Sequence, residues 1–186
     1  MNIKIANRHT SLEKLEKKYP NAKIIDVTSK AEQPYVQFSP FYPVGDVPVP
    51  FSNGLVSASV EGLWQGLKVF ESEGVDTSKF DNTTMKQLKR TVRKYGTCLG
   101  HQKGVDSEEL LGYIEARKLL YLPSYKWVLD NKLQKEVLDL RALAEQEDIV
   151  LLDYETNGNV EDPAKPLSHA WLLKYYIEGI WPEFDQ

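Results

Sequence analysis

A carboxylate, an amide and an amine recur at helical spacing inside Ser57 to Phe70, SASVEGLWQGLKVF. Glu61, Gln65 and Lys68 stand at i, i+4 and i+7, with Trp64 beside them. A carboxylate set next to a cation and an aromatic ring can stabilise developing positive charge or activate a water. A glutamate in the first turn of a helix also gains from the helix dipole without any chemistry, so the residues alone leave both readings open.

Three other stretches carry candidate groups. Pro34 to Phe51, PYVQFSPFYPVGDVPVPF, has five prolines in 18 residues and must be an ordered irregular segment. Its Phe38, Phe41 and Tyr42 can stack on a ligand ring or pin the loop to the core. Between Asn82 and Val105 no acidic residue occurs, and Lys86, Lys89, Arg90, Arg93 and Lys94 precede a glycine-flanked loop, GHQKG, that adds His101 and Lys103. Phosphates are the natural partner of such a segment, although a solvated helix face reads the same way. The loop is not a Walker motif, because the GK[ST] ending is missing. Finally, IVLLDY, Ile149 to Tyr154, reads as a strand that empties into Glu155 to Asn159. Loops at strand ends favour chemistry, which brings in Asn157.

The elements that must position these groups follow from periodicity. Val60, Leu63, Trp64, Leu67 and Phe70 fall on one apolar stripe and predict a helix over 57–70, with Ser57 or Ser59 as its cap. Gly62 and Gly66 on its far side imply that something approaches the backbone closely. Residues 2–27 read as strand, helix and strand, a small βαβ unit. The spacing of Leu88, Val92 and Tyr95 is helical within 83–99. A helix opening at Asp106 should stop before Pro123, another should run from Ser124 to about Gln146, and a last one should start at Pro166 or Ser168 and stop at Gly179.

The 186 residues suffice for one domain with a full core, and 41% hydrophobic with 27% charged residues are globular values. A net charge of -4 argues against a surface coated for nucleic acid, so any such contact is local. One cysteine, Cys98, excludes an internal disulfide framework, and three scattered histidines imply no metal site. Without an apolar signal core or a run of about 18 apolar residues, a cytoplasmic setting away from membranes is expected. The oligomeric state is left open.

Several of these stretches together resemble the NADAR family, a group associated with NAD, ADP-ribose and N-glycosidic bonds. Phe38-Ser-Pro-Phe-Tyr42 is similar to its aromatic FSNF-type motif, and Ser59-Val-Glu61 with Trp64 to Phe70 is similar to its SEHYFQAQKF-type helix. Leu140 to Leu143, Val150 to Asn157 and Leu167 to Glu178 look like its closing helix, strand, loop and final helix. The likeness covers roughly residues 24–178. Three positions depart from the pattern: Gly62 follows the glutamate where the family often has His, and Gly158 and Glu161 stand where its late loop usually has an Asp and then a Trp. Asp162 or Asp153 is then the candidate second carboxylate.

The resemblance implies an α+β fold, a single domain over 1–186, mainly helical around a central helix with a small β-sheet, residues 1–27 being a βαβ-like extension. It also implies a hydrolase that cleaves a ribose to nitrogen bond, with Glu61 as acid/base or as the carboxylate that stabilises an oxocarbenium-like state. The expected ligand is an ADP-ribose-like or phosphoribosyl nucleotide, free or carried on nucleic acid, with no cofactor. Phe41, Tyr42 or Trp64 would stack the leaving base, Gln65 would orient ribose or base edge, and Lys68, Arg90, His101 or Lys103 would hold phosphate. The alternative is a non-catalytic module that binds such a ligand without turnover, or an interaction protein that docks through its basic segment.

Overall fold

The computed structural model of the protein describes residues 1–184. In chain order its strands and helices are β1 (Ile3–Asn7), α1 (Leu12–Lys18), β2 (Lys23–Asp26), β3 (Val47–Pro48), β4 (Val56–Ser57), α2 (Val60–Gly66), β5 (Lys68–Phe70) and α3 (Val92–Tyr95). They continue with β6 (Cys98–Gln102), β7 (Leu110–Leu111), α4 (Tyr113–Ala116), α5 (Leu122–Asn131), α6 (Gln134–Gln146), β8 (Ile149–Asp153) and α7 (His169–Glu178). Helices and small, separate sheets make this the α+β class that the sequence implies. The chain divides into two compact units, one of Met1–Ser39 with the chain from Leu133 onward, the other of Pro40–Lys132.

In the first unit, apolar residues at consecutive positions 149 to 152 suit a strand covered on both faces. β8 accordingly lies between β1 and β2 and runs parallel to both. The βαβ unit expected over 2–27 is therefore split: its strands are parallel, but a strand from far along the chain separates them. Leu15 of α1 packs with Ala6 and Val150 on one face of the sheet. Asp153, at the far end of β8, faces the start of α7, where Ser168 caps the helix by accepting from Trp171 N–H. Gly179 ends α7 at φ 73°, a left-handed position that glycine takes without strain.

In the second unit α2 is the centre, and every one of its seven residues is buried. The close approach implied by its glycines is present. A Cβ on Gly62 would stand 2.7 Å from the Lys79 carbonyl oxygen, and one on Gly66 would run into the Phe80 ring. The helix is shorter than the predicted 57–70. Leu67 O accepts Gln102 N–H at 2.8 Å, and from there Lys68–Phe70 pairs antiparallel with β6 in the sheet β5-β6-β7. The apolar stripe is thus shared between a helix and a strand, and all five of its members are buried.

Two more helices differ from their sequence spacing. The helical pattern of 83–99 shrinks to α3, because Met85 and Gln87 adopt φ of 59° and 58°, which interrupts a right-handed helix. Leu110 and Leu111 form a strand, and helical backbone then runs from Tyr113 to Asn131 straight through Pro123. Proline lacks an N–H and crowds the carbonyl one turn back. A π-helical turn at Arg117–Tyr121, closed by Leu122 N–H on Arg117 O, widens the helix just ahead of it. The helix expected over 124–146 breaks at Lys132 and Leu133, neither a helix breaker by type.

Candidate functional site

Ser59, extended at φ -147°, caps α2 by accepting the Gly62 N–H at 3.0 Å, which fixes where Glu61 points. Glu61 N–H donates to Pro40 O at 2.9 Å, so the aromatic loop and the glutamate helix are joined directly. The Gln65 amide then holds the carboxylate. Its Nε2 donates to Glu61 Oε1 at 2.7 Å, while its Oε1 accepts Arg90 N–H at 2.9 Å. With a backbone donor on one side, the amide has one orientation open to it. Glu61 retains 8% of its surface exposed.

Lys68, His101 and Leu111 sit opposite one another across β5, β6 and β7, and so share one face of that sheet. Trp64 lies on His101 with ring centroids 3.8 Å apart, and Tyr121 meets Trp64 edge-on at 5.5 Å. His101 is 2% exposed, and neither of its ring nitrogens has a hydrogen-bond partner among the described residues. Burial, and then the nearby charge of Lys68, push its pKa down to about 3, so the imidazole is neutral. Burial also lowers the pKa of Lys68, opposed by Glu61 and Cys98 and assisted by Lys89 and Arg90.

The other predicted site residues divide. Phe41 lies under the Lys89 ammonium at 5.9 Å, and Tyr42 is half-buried. Phe38 is fully enclosed, a core ring rather than a stacking platform. Arg90 is not a phosphate ligand here. Its Nη1 donates to Lys68 O at 2.6 Å and Gln65 O at 3.3 Å, and its Nη2 donates to Gly74 O at 2.7 Å. The guanidinium also lies over the Phe70 and Tyr95 rings, so it clamps the chain that follows α2. Lys103 pairs with Glu109 at 3.2 Å, and neutral His101 brings no charge to an anion. Asn157 and Asp162 belong to the first unit. Asn157 accepts Asn159 N–H and donates to Lys165 O, and Asp162 accepts Ala164 N–H, so both brace their own turns.

Sequence reasoning gave no site role to Tyr113, Arg117 or Tyr121. They recur every four residues along one helix and surround Trp64 or one another, with the Arg117 guanidinium 4.3 Å over the Tyr113 ring. That spacing, with Pro123 just beyond, was the available signal. Also missed was the role of Asp153 in the first unit. Its Oδ2 accepts from Ser168 Oγ at 2.7 Å, Ala170 N–H at 3.2 Å and His169 Nδ1 at 3.0 Å, while His169 Nε2 meets Val27 O at 2.8 Å. Because both ring nitrogens of His169 face acceptors, the ring is an imidazolium. Burial raises the Asp153 pKa, but the His169 charge and the hydrogen bonds outweigh it and hold the carboxyl at about 2. For His169, burial is likewise overcome by Asp153 and Val27, and the pKa lies above its ordinary value. Ser168 donates to Asp153 rather than to the imidazole, so the three do not form a nucleophilic triad.

A family model described as "Family of unknown function (DUF6939)" matches residues 7–173. The chain belongs to that family. The DUF6939 match takes in Glu61, Gln65, Lys68 and His101 as well as Asp153 and His169, so both buried polar clusters lie inside it. No curated protein matches the chain. Among the described residues of this DUF6939 chain, no helix is long and apolar enough to cross a membrane.

Proposed function

We propose that the protein is an N-glycosyl hydrolase that cleaves a ribose to nitrogen bond in an ADP-ribosylated base or a related nucleotide, as a divergent NADAR-like chain. The family carries no assigned activity, so the reading stands on the residues. The observation that carries it is the Glu61 carboxylate, largely buried, still partly exposed, and held in one orientation by Gln65 at 2.7 Å. Breaking such a bond builds positive charge on the sugar, which a fixed carboxylate stabilises while it can also activate water. Pre-orientation matters because the stabilising group then needs no rearrangement as charge develops. Phe41 and Tyr42, tied to α2 through Pro40, offer rings for the leaving base, and Lys68 and Lys89 are the cations left for phosphate once Arg90 and Lys103 are engaged elsewhere.

The experiment is incubation with ADP-ribosylated DNA and, separately, with a phosphoribosyl-amine, followed by chromatography of the released base or sugar. Wild type should release product and Glu61→Gln should lose at least about 100-fold in rate, the usual scale for an acid/base group. Equal rates for both proteins would sink the proposal. The engagement of Asn157 and Asp162 in their own turns favours the alternative, a module that binds such a ligand without turnover. Heat of binding in a calorimeter with no product formed would select it.

A further inference from the structure

The three strands of the first unit's sheet are parallel, so Asn7, Asp26 and Asp153 all end at one edge of it. Beyond the carboxyl ends of the strands is where open parallel sheets hold their ligands. Arg8 and His9 follow β1 there, Val27 and Thr28 follow β2, and Tyr154 follows β8.

Arg8 is held from three sides. Its N–H donates to Asp153 O at 2.8 Å, its Nε donates to Asp26 Oδ2 at 2.9 Å, and its guanidinium carbon stands 5.8 Å from the centre of the Tyr154 ring. Asp26 is itself fixed, because its Oδ1 accepts Thr28 N–H at 2.9 Å. The Asn7 side chain braces the rest: its Oδ1 accepts His9 N–H at 2.8 Å and its Nδ2 donates to Tyr154 O at 2.8 Å. The His9 and Tyr154 rings lie 5.4 Å apart. These contacts orient the groups without using them up. Arg8 Nη1 and Nη2 and both ring nitrogens of His9 make no hydrogen bond among the described residues, the Arg8 side chain is 33% exposed, and His9 and Tyr154 are exposed. An arginine bound through Nε alone keeps both Nη groups as donors for the oxygens of an anion. Asp26 offsets the charge of Arg8, so recognition at this edge rests on directed hydrogen bonds more than on net charge.

We propose that this edge binds a phosphate monoester with a flat organic group, the phosphate on Arg8 and His9 and the flat group on Tyr154. A carboxylate fills the arginine donors with its two oxygens and leaves nothing for His9. A phosphate monoester has a third terminal oxygen to offer it. The exposed Tyr154 ring supplies the apolar surface on which the organic group lies. Every group named belongs to the first unit, so the site stands independently of the Glu61 reading.

The test is to titrate phenyl phosphate, inorganic phosphate and benzoate separately into the isotope-labelled full chain and to follow the NMR signals of Arg8 Nε–H, His9 and Tyr154. The three should shift together, and affinity should fall in the order phenyl phosphate, inorganic phosphate, benzoate. Arg8→Lys keeps the charge but loses the paired donors, and should weaken both phosphates about tenfold or more, the scale of one hydrogen bond to a charged group. Tyr154→Leu should cost phenyl phosphate more than inorganic phosphate. His9→Ala leaves the Arg8 to Asp26 pair intact, so it tests the site even where Arg8→Lys loosens the fold. It should weaken both phosphates and leave benzoate unchanged. Benzoate binding as tightly as phenyl phosphate, or phosphate binding that is the same in wild type and His9→Ala, overturns the proposal. So does the lack of a saturable shift with any of the three probes. Shifts centred on Lys68 and Lys89, with Arg8 unmoved, reject this site and leave the Glu61 reading standing.

Discussion

His101 and His169 are both buried, but their surroundings differ in kind. His169 has an acceptor at each nitrogen, and its partner Asp153 in turn accepts from Ser168 and Ala170, so the cluster is closed and charged. His101 lies under Trp64 with both nitrogens unbonded among the described residues, and it is neutral. A satisfied buried network specifies a fold, whereas an unsatisfied one costs stability and requires another explanation. The closed cluster pins α7 to β8 and to Val27 beyond β2. The open one lies in the unit that holds Glu61, Gln65 and Lys68, which is why the candidate chemistry is assigned there.

The sharpest way to break this contrast is Asp153→Ala. It strands a buried imidazolium and three further donors, Ser168 Oγ, Ala170 N–H and Tyr154 N–H, and should cost about 3–5 kcal/mol in urea unfolding. A loss below about 1 kcal/mol would mean the cluster is not the clamp described.

Acid comes next, read as the stability gap between wild type and His101→Phe. His101 has a lowered folded pKa, so the unfolded chain takes up its proton below about 6.5 while the folded chain holds off until about 3. Wild type should therefore lose stability relative to His101→Phe as pH falls through that window, by on the order of a few kcal/mol at about 1.4 kcal/mol per unit. A constant gap would show that His101 is already charged. In the other cluster the two groups differ in sign from each other. The Asp153 contribution is present above pH 3.8 and lost as pH falls through about 2. That of His169 is full below 6.5 and lost as pH rises through its raised value.

Gly62→Ala tests whether the open cluster sits in rigid surroundings. Its methyl would press on the Lys79 carbonyl and the Ser57 hydroxyl, costing about 1–3 kcal/mol. A neutral result would show that α2 can shift. The smallest effect is His101→Phe at pH 7, which keeps a ring against Trp64 and removes two unbonded nitrogens. A gain of about 1 kcal/mol is expected in thermal unfolding, and a comparable loss would mean those nitrogens are bonded after all.

Much of this was legible in residue order. The consecutive apolar positions of β8, the cap at Ser168, the stop at Gly179 and the close-packed glycines of α2 are local properties, set by side-chain volume and backbone freedom. Glu61 and Gln65, four apart on one helix, were legible as neighbours for the same reason. Arg90 was not, because a guanidinium among lysines looks like surface charge until its carbonyl partners at 65, 68 and 74 are brought around it.

By itself the sequence determined the α+β class, the buried helix around Glu61 and the enclosure of its glycines, since each follows from periodicity over a few turns. Only the tertiary structure decided that Lys68 leaves that helix for a strand, that Arg90 and Asp162 are engaged in bracing the chain, and that one buried histidine is charged while the other is neutral. Those outcomes depend on which backbone carbonyls and carboxylates arrive from distant positions. Protonation and hydrogen bonding answer to those neighbours in space and not to spacing along the chain.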